Sequence, residues 1–189
     1  MAMGRKVFHL RKFGRRLGTR LEGARAREEI LAELSRLPVG GQLLVDLSGL
    51  EVLSGSFADE ALAKVAEQLK DGELSDRYLL VKAEEEELLE DLSERLARRG
   101  LALFALVGEE WRILGRLSGY LEETLDWVVQ HGEATSSKLA QALSISVKNA
   151  STRLKELHRL RLIELVPESR PVGGIQYRAR AVISSKRKG

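Results

Sequence analysis

A chain of 189 residues with 43% hydrophobic content has room for one large or two small domains, and two is the better reading. Without cysteine it has no disulfide framework, zinc–thiolate site or thiol nucleophile, and its three histidines, His9, His131 and His158, form no pair at ligand spacing, so neither metal nor cofactor is expected. No run approaches the roughly 18 apolar residues that span a bilayer, and no apolar stretch follows the basic start, so a cytoplasmic protein with no membrane partner is expected.

The formal charge of +3 is unevenly distributed. From Ser136 onward there are 12 Lys/Arg against 3 Asp/Glu, a balance of +9, which leaves −6 for the other 135 residues. The first 20 residues add a second basic stretch, with seven cations and no acid. Such an arm suits DNA, an acidic partner, or the chain's own acidic middle segment, and is read equally well as simply solvated.

In chain order, Lys6 to Leu10 reads as a short strand, and 21–37 as a helix with Ala26, Ile30, Leu34 and Leu37 inward, stopped by Pro38 and Gly40-Gly41. Leu43-Leu44-Val45-Asp46-Leu47 is almost wholly apolar, as a parallel strand covered on both faces is. Ser56 stands three residues before Asp59, a helix-start signature, and Ala58, Ala61, Leu62, Val65 and Leu69 follow on one face. A strand over 77–81, a helix over 84–99 and a strand over 101–107 complete the alternation, which predicts a mainly parallel sheet with helical crossovers. The acids Glu84 to Glu87 oppose the positive end of their helix and need no ligand. Asp46, at the carboxyl end of the buried strand, is the one candidate for chemistry. Bonding to nearby backbone amides or to Arg20 is the better reading of it. No Gly-x-Ser-x-Gly elbow or Gly-x-x-x-x-Gly-Lys loop is present, so no enzyme is expected.

The block from Val45 to Glu60, Val-Asp-Leu-Ser-Gly-Leu-Glu-Val-Leu-Ser-Gly-Ser-Phe-Ala-Asp-Glu, and the earlier Thr19-Arg20-Leu21-Glu22-Gly23 are similar to the STAS-like family of unknown function. The resemblance covers about residues 5–107. More remotely, the block resembles the STAS domains of anti-sigma-factor antagonists, and by position this implies that Ser56 is a serine phosphorylated by a kinase partner. Read from the residues alone, Ser56 is a helix cap. A phosphate there would be repelled by Asp59 and Glu60 while the helix dipole favoured it.

Residues 109–116 read as a connector. Beyond it a helix is expected over 119–131, with Leu121, Leu125, Val128 and Val129 inward, and a shorter one over 136–143. The turn Leu143-Ser144-Ile145-Ser146 follows, with Ser146 placed to cap a third helix. Val147, Ala150, Leu154, Leu157 and Leu160 form that helix's inward stripe, while Lys148, Asn149, Ser151, Thr152, Arg153, Lys155 and Arg159 point outward. In Ile163 to Val166 and Ile175 to Ala181 the apolar period falls to two, the pattern of half-buried strands, and 167–174 between them is turn-rich. Helix, helix, helix, strand, strand over 117–182 resembles the winged helix-turn-helix domains of bacterial transcription regulators.

The resemblance implies a DNA-binding transcriptional regulator with double-stranded DNA as partner. Lys148, Asn149, Ser151, Thr152 and Arg153 are expected in the major groove, with Ser146 and Lys155 also on the duplex. Arg170, Arg178 and Arg180 on the wing would hold phosphates or the minor groove. The expected division is a STAS-like α/β domain (1–108), a connector (109–116), a winged helix (117–182) and a basic tail (183–189). The first domain would supply homodimerisation or a protein partner's signal, and Leu114, Leu117, Leu121, Leu125 and Val128 keep a stripe long enough to pair two protomers, although burial inside the winged helix also explains it. Two other readings stand beside this one. One is a partner-switch adaptor whose domains both bind proteins, and the other is architectural or defence-related DNA binding without promoter specificity.

Overall fold

The apolar run around Val45 forms an interior strand, one in from the edge, of a six-stranded sheet in the computed structural model, which describes residues 4–184 and 186–187. The chain separates into two units, one running to Arg116 and taking in Lys186–Arg187, the other spanning 117–184. The first unit contains β1 (Arg5–His9), β2 (Arg16–Leu17), α1 (Arg20–Arg36), β3 (Gln42–Asp46), β4 (Val52–Leu53), α2 (Gly55–Ala58), α3 (Lys64–Lys70), β5 (Tyr78–Ala83), α4 (Glu90–Arg98), β6 (Ala102–Val107) and β7 (Glu110–Gly115). Strands β1, β3, β5 and β6 are parallel neighbours in that order, and β7 closes antiparallel on β6. A mixed α/β fold with a mainly parallel sheet and crossover helices is therefore present. Every residue of β3 is buried, which is why its sequence does not alternate.

The crossover helices are held by local chemistry. Thr19 and Glu22 form a reciprocal capping box at the start of α1. Its buried face is Gly23, Ala26, Ile30 and Leu34, and the helix ends just before Pro38. Gly23 allows close approach to the next helix: a Cβ there would lie 2.9 Å from Glu60 Cβ and 3.1 Å from the Phe57 carbonyl oxygen. From α2 the chain passes through a π-helical turn, Asp59–Ala63, into α3, and Ala61, Leu62, Val65 and Leu69 are buried as the sequence spacing requires.

Two parts of the first unit differ from expectation. Residues 109–116 are not a free connector, because Glu110–Gly115 is β7, joined to β6 by a two-residue turn with Gly108 at φ +63° in its first position. Trp111 packs edge-on against Phe104 at 5.2 Å, and Leu114 is fully buried. The strand stops at Gly115, with φ +87° and the Leu101 carbonyl oxygen 2.1 Å from where a Cβ would be. The expected tail also differs: Lys186–Arg187 form β11, parallel to β7 in the same sheet. Residues 185, 188 and 189 of that tail, like 1–3, lie outside the described residues.

The second unit contains α5 (Gly119–His131), β8 (Glu133–Thr135), α6 (Ser136–Leu143), α7 (Val147–Arg159), β9 (Ile163–Ser169) and β10 (Ile175–Ala181). Its strands form an antiparallel sheet in the order β8-β10-β9. Leu121, Leu125, Val128, Leu139, Ala150, Leu154, Leu157, Ile163 and Ala179 are among its buried apolar groups. Of the stripe Leu114, Leu117, Leu121, Leu125 and Val128, Leu117 is half-buried and the others are consumed by the cores of the two units, Leu114 in one and the rest in the other, so no continuous pairing surface is presented. Pro167, expected in the loop, pairs with Tyr177 inside β9, which a proline tolerates because β9 is an edge strand. Among the described residues no helix is long and apolar enough to cross a membrane.

Candidate nucleic-acid interface

Helices α6 and α7 are set by two caps and a turn. The Thr135 hydroxyl accepts the Lys138 amide at the start of α6, and Ser144, in the left-handed region at φ 53°, ends that helix. The Ser146 hydroxyl accepts the Asn149 amide at 3.1 Å, so Ser146 caps α7. This cap fixes the orientation of the first turn of α7, which exposes Val147, Lys148 and Asn149.

The ten expected contact residues divide into three groups. Lys148, Asn149, Thr152, Lys155, Arg170 and Arg180 are exposed, and no salt bridge is formed by Lys148, Lys155, Arg170 or Arg180 among the described residues. Ser146 is occupied as a cap, Ser151 is half-buried, and Thr152 donates its hydroxyl back to the Lys148 carbonyl at 3.0 Å. Arg153 and Arg178 are committed within the unit. Arg153 has a side chain only 12% exposed, donates Nε to Asn149 Oδ1 at 3.0 Å, and places Nη1 3.3 Å from the Tyr120 carbonyl and 3.4 Å from Glu123 and from Thr124 Oγ1. Its guanidinium also lies over the Tyr120 ring at 5.3 Å. Arg178 bridges Glu168 at 2.7 Å and Glu133 at 2.6 Å. The hydrogen bond it donates to Glu168, reinforced by the one to Glu133, raises its pKa, while that same bond lowers the Glu168 pKa against a weaker opposing effect of burial. Neither arginine is free for phosphate.

Between α7, the start of α6 and the β9–β10 hairpin lies a cleft of about 270 Å³. Lys155 and Arg170 line it, no acid does, and its remaining walls include Ser136, Ser137, Ser151, Gln176 and the apolar Val147, Leu154, Ile175 and Tyr177. Val147, Ile175 and Tyr177 are half or more exposed, and Val172 at the hairpin tip is 97% exposed. Sequence patterning placed Val147 inward, but at the first position of the helix its side chain lies beyond the core. Over 117–184 the charge is 9 Lys/Arg against 7 Asp/Glu: of the +9 counted from Ser136, three charges belong to 185–189 and four are offset by the acids of α5 and β8. What remains positive is local to the cleft and the exposed side of α7.

In the first unit the expected helix cap moves by two residues. Ser54, not Ser56, caps α2: its hydroxyl accepts the Phe57 amide at 3.1 Å and donates to the Gly18 carbonyl at 2.8 Å. Ser56 lies in the first turn, half-buried. Beside it Asp59 and Glu60 are 7% and 8% exposed and enclosed by cations that sequence reading did not assign to them. Asp59 accepts two bonds from Arg99, at 2.9 and 3.1 Å, and lies 3.4 Å from Arg20. Glu60 pairs with Arg27 at 2.7 Å and Lys64 at 2.8 Å. The Arg99 hydrogen bond lowers the Asp59 pKa despite burial, and the Lys64 bond does the same for Glu60. Asp46 accepts the amide and hydroxyl of Ser48 at 2.9 and 2.6 Å; burial raises its pKa, but these bonds outweigh it and the net shift is downward. Arg20 therefore serves Asp59 and Glu60 rather than Asp46. The basic arm turns on the chain's own acids, through Lys6 to Glu33, Lys12 to Glu29, and Arg15 and Arg16 to Glu51.

No protein-family model matches the chain, and neither curated proteins nor solved structures provide a match.

Proposed function

We propose that the second unit is a winged helix that binds double-stranded DNA, and that the protein is a transcriptional regulator. The observation that carries this is the acid-free cleft in which Lys155 of α7 meets Arg170 of the hairpin, beside a helix end exposing Lys148 and Asn149. A helix of this kind lies in the major groove with its first residues at base edges, and a phosphate strand passing toward the wing would meet both cations. Ser151, Thr152 and Arg180 are auxiliary contacts, while Arg153 and Arg178 hold the scaffold. The first unit is read as a STAS-like domain supplying dimerisation or a partner's signal, through the Ser54-capped helix that carries Ser56.

A partner-switch adaptor is favoured by one observation, the exposure of Val147, Ile175 and Tyr177 around the same cleft. Anisotropy titration of labelled genomic duplexes separates the two. The regulator binds duplex at about 50 mM salt and loses at least tenfold in affinity by about 200 mM. Absence of duplex binding at the lower salt would refute the proposal in favour of the adaptor.

A further inference from the structure

Asn149 occupies the third position of α7, exposed, where a groove-bound helix meets base edges. A free asparagine reads adenine with both ends of its amide: the nitrogen donates to N7 and the oxygen accepts from N6. Here the oxygen is turned to Arg153, which occupies one of its two lone pairs. Arg153 donates Nε to Asn149 Oδ1 at 3.0 Å, and because a guanidinium has donors and no acceptor, the amide can face it only oxygen first. Arg153 is itself held by the Tyr120 carbonyl, Glu123 and Thr124 Oγ1 from α5, with its side chain 12% exposed. The Asn149 amide NH2 consequently points away from Arg153, with both hydrogens available.

From this arrangement we infer that Asn149, its oxygen held toward Arg153, presents its NH2 to the groove and selects guanine, whose O6 and N7 are adjacent acceptors, and that Arg153 is the positioning residue that disfavours adenine. The inference rests on the DNA-binding role proposed above and names the base which that surface prefers. Its energetic logic is one of unpaired groups: against adenine, one amide hydrogen would face the N6 amino group, a donor meeting a donor. The effect expected is about tenfold discrimination at one base pair, the lower end of what a good base-edge pair supplies.

The test is selection of preferred sites from randomised duplexes by the full chain, wild type and variants. Wild type selects guanine at one position, and Asn149→Ala makes that position indifferent. Replacing the guanine with 7-deazaguanine, which lacks the N7 acceptor, weakens wild-type binding severalfold and leaves Asn149→Ala unaffected. Asn149→Asp keeps an acceptor for Arg153 but has no donor, and its preference moves to cytosine, whose N4 amino group donates. Arg153→Leu frees the amide oxygen and lets adenine in; should that variant fail to fold, Asn149→Asp still decides. Adenine selected by wild type at the position that Asn149→Ala relaxes overturns the inference. So does salt-dependent duplex binding whose base preferences are the same in wild type and Asn149→Ala, and in both cases the DNA-binding role survives. Loss of all duplex binding by wild type removes both.

Discussion

Replacing Arg153 with Ala should lower stability and leave the electrostatics of DNA binding almost unchanged, the reverse of what its place on an outward helix face leads one to expect. The side chain donates to Asn149, Tyr120, Glu123 and Thr124 and covers the Tyr120 ring. Charge-assisted hydrogen bonds contribute about 1.5–3 kcal/mol in favourable geometry. Three of these are long, at 3.3–3.4 Å, so the lower part of that range applies. No buried group is orphaned by the change, since the Thr124 hydroxyl keeps its 2.7 Å bond to the Tyr120 carbonyl. The expected cost is about 2 kcal/mol, against about 0.5 kcal/mol or less for the exposed Lys148→Ala. Urea unfolding followed by helical circular dichroism should show a midpoint lower by about 1 M for a typical slope of 2 kcal/mol per molar. An unchanged midpoint together with a salt slope shallower by about one would refute the assignment of Arg153 to the scaffold.

Three further outcomes follow from the first unit. Ser54→Ala should cost about 1 kcal/mol through the lost cap while Ser56→Ala costs about 0.5 or less, and equal urea midpoints for the two would place the cap wrongly. Arg99 holds the Asp59 pKa below its unfolded value near 3.9, so the contribution of Asp59 is complete above that pH and is lost as pH falls through the folded value. Asp59→Asn should accordingly show a shallower loss of stability between about pH 5 and pH 3 than the parent; an equally steep acid limb would contradict this. Gly115→Ala, with a Cβ 2.1 Å from the Leu101 carbonyl oxygen, should destabilise by about 3 kcal/mol, whereas Gly119→Ala meets nothing within 4 Å; similar unfolding midpoints would argue against the close approach.

Much of the architecture was legible in the sequence because local signals and burial agreed. The unbroken apolar run of β3, the stop of α1, and the spacing across α5, α6 and α7 are each fixed by nearest neighbours. The strand β7 was missed although Gly108-Glu109 is a two-residue turn and Trp111 and Leu114 are apolar, because the charges of Glu109, Glu110 and Arg112 obscured the pattern. Strand pairings between distant segments, such as β2 with β4 or β8 with β10, leave almost no local trace. The candidate site was legible as a set of outward residues but not as a set of free ones. Whether an outward cation meets solvent or a carboxylate depends on Glu123, Glu133 and Glu168, which lie 10 to 45 residues from Arg153 and Arg178 in sequence. The enclosure of Asp59 by Arg20 and Arg99 was hidden for the same reason.

Contact between duplex phosphates and the small cationic surface on α7 and the hairpin is read out by the slope of log K against log salt for one duplex. Each phosphate contact contributes about 0.9 to that slope. Lys148→Ala, Lys155→Ala and Arg170→Ala are each expected to reduce it by about that amount, and the triple variant by about 2.7, with folding intact. A wild-type slope near zero, or a steep slope that the triple variant leaves untouched, would contradict the account.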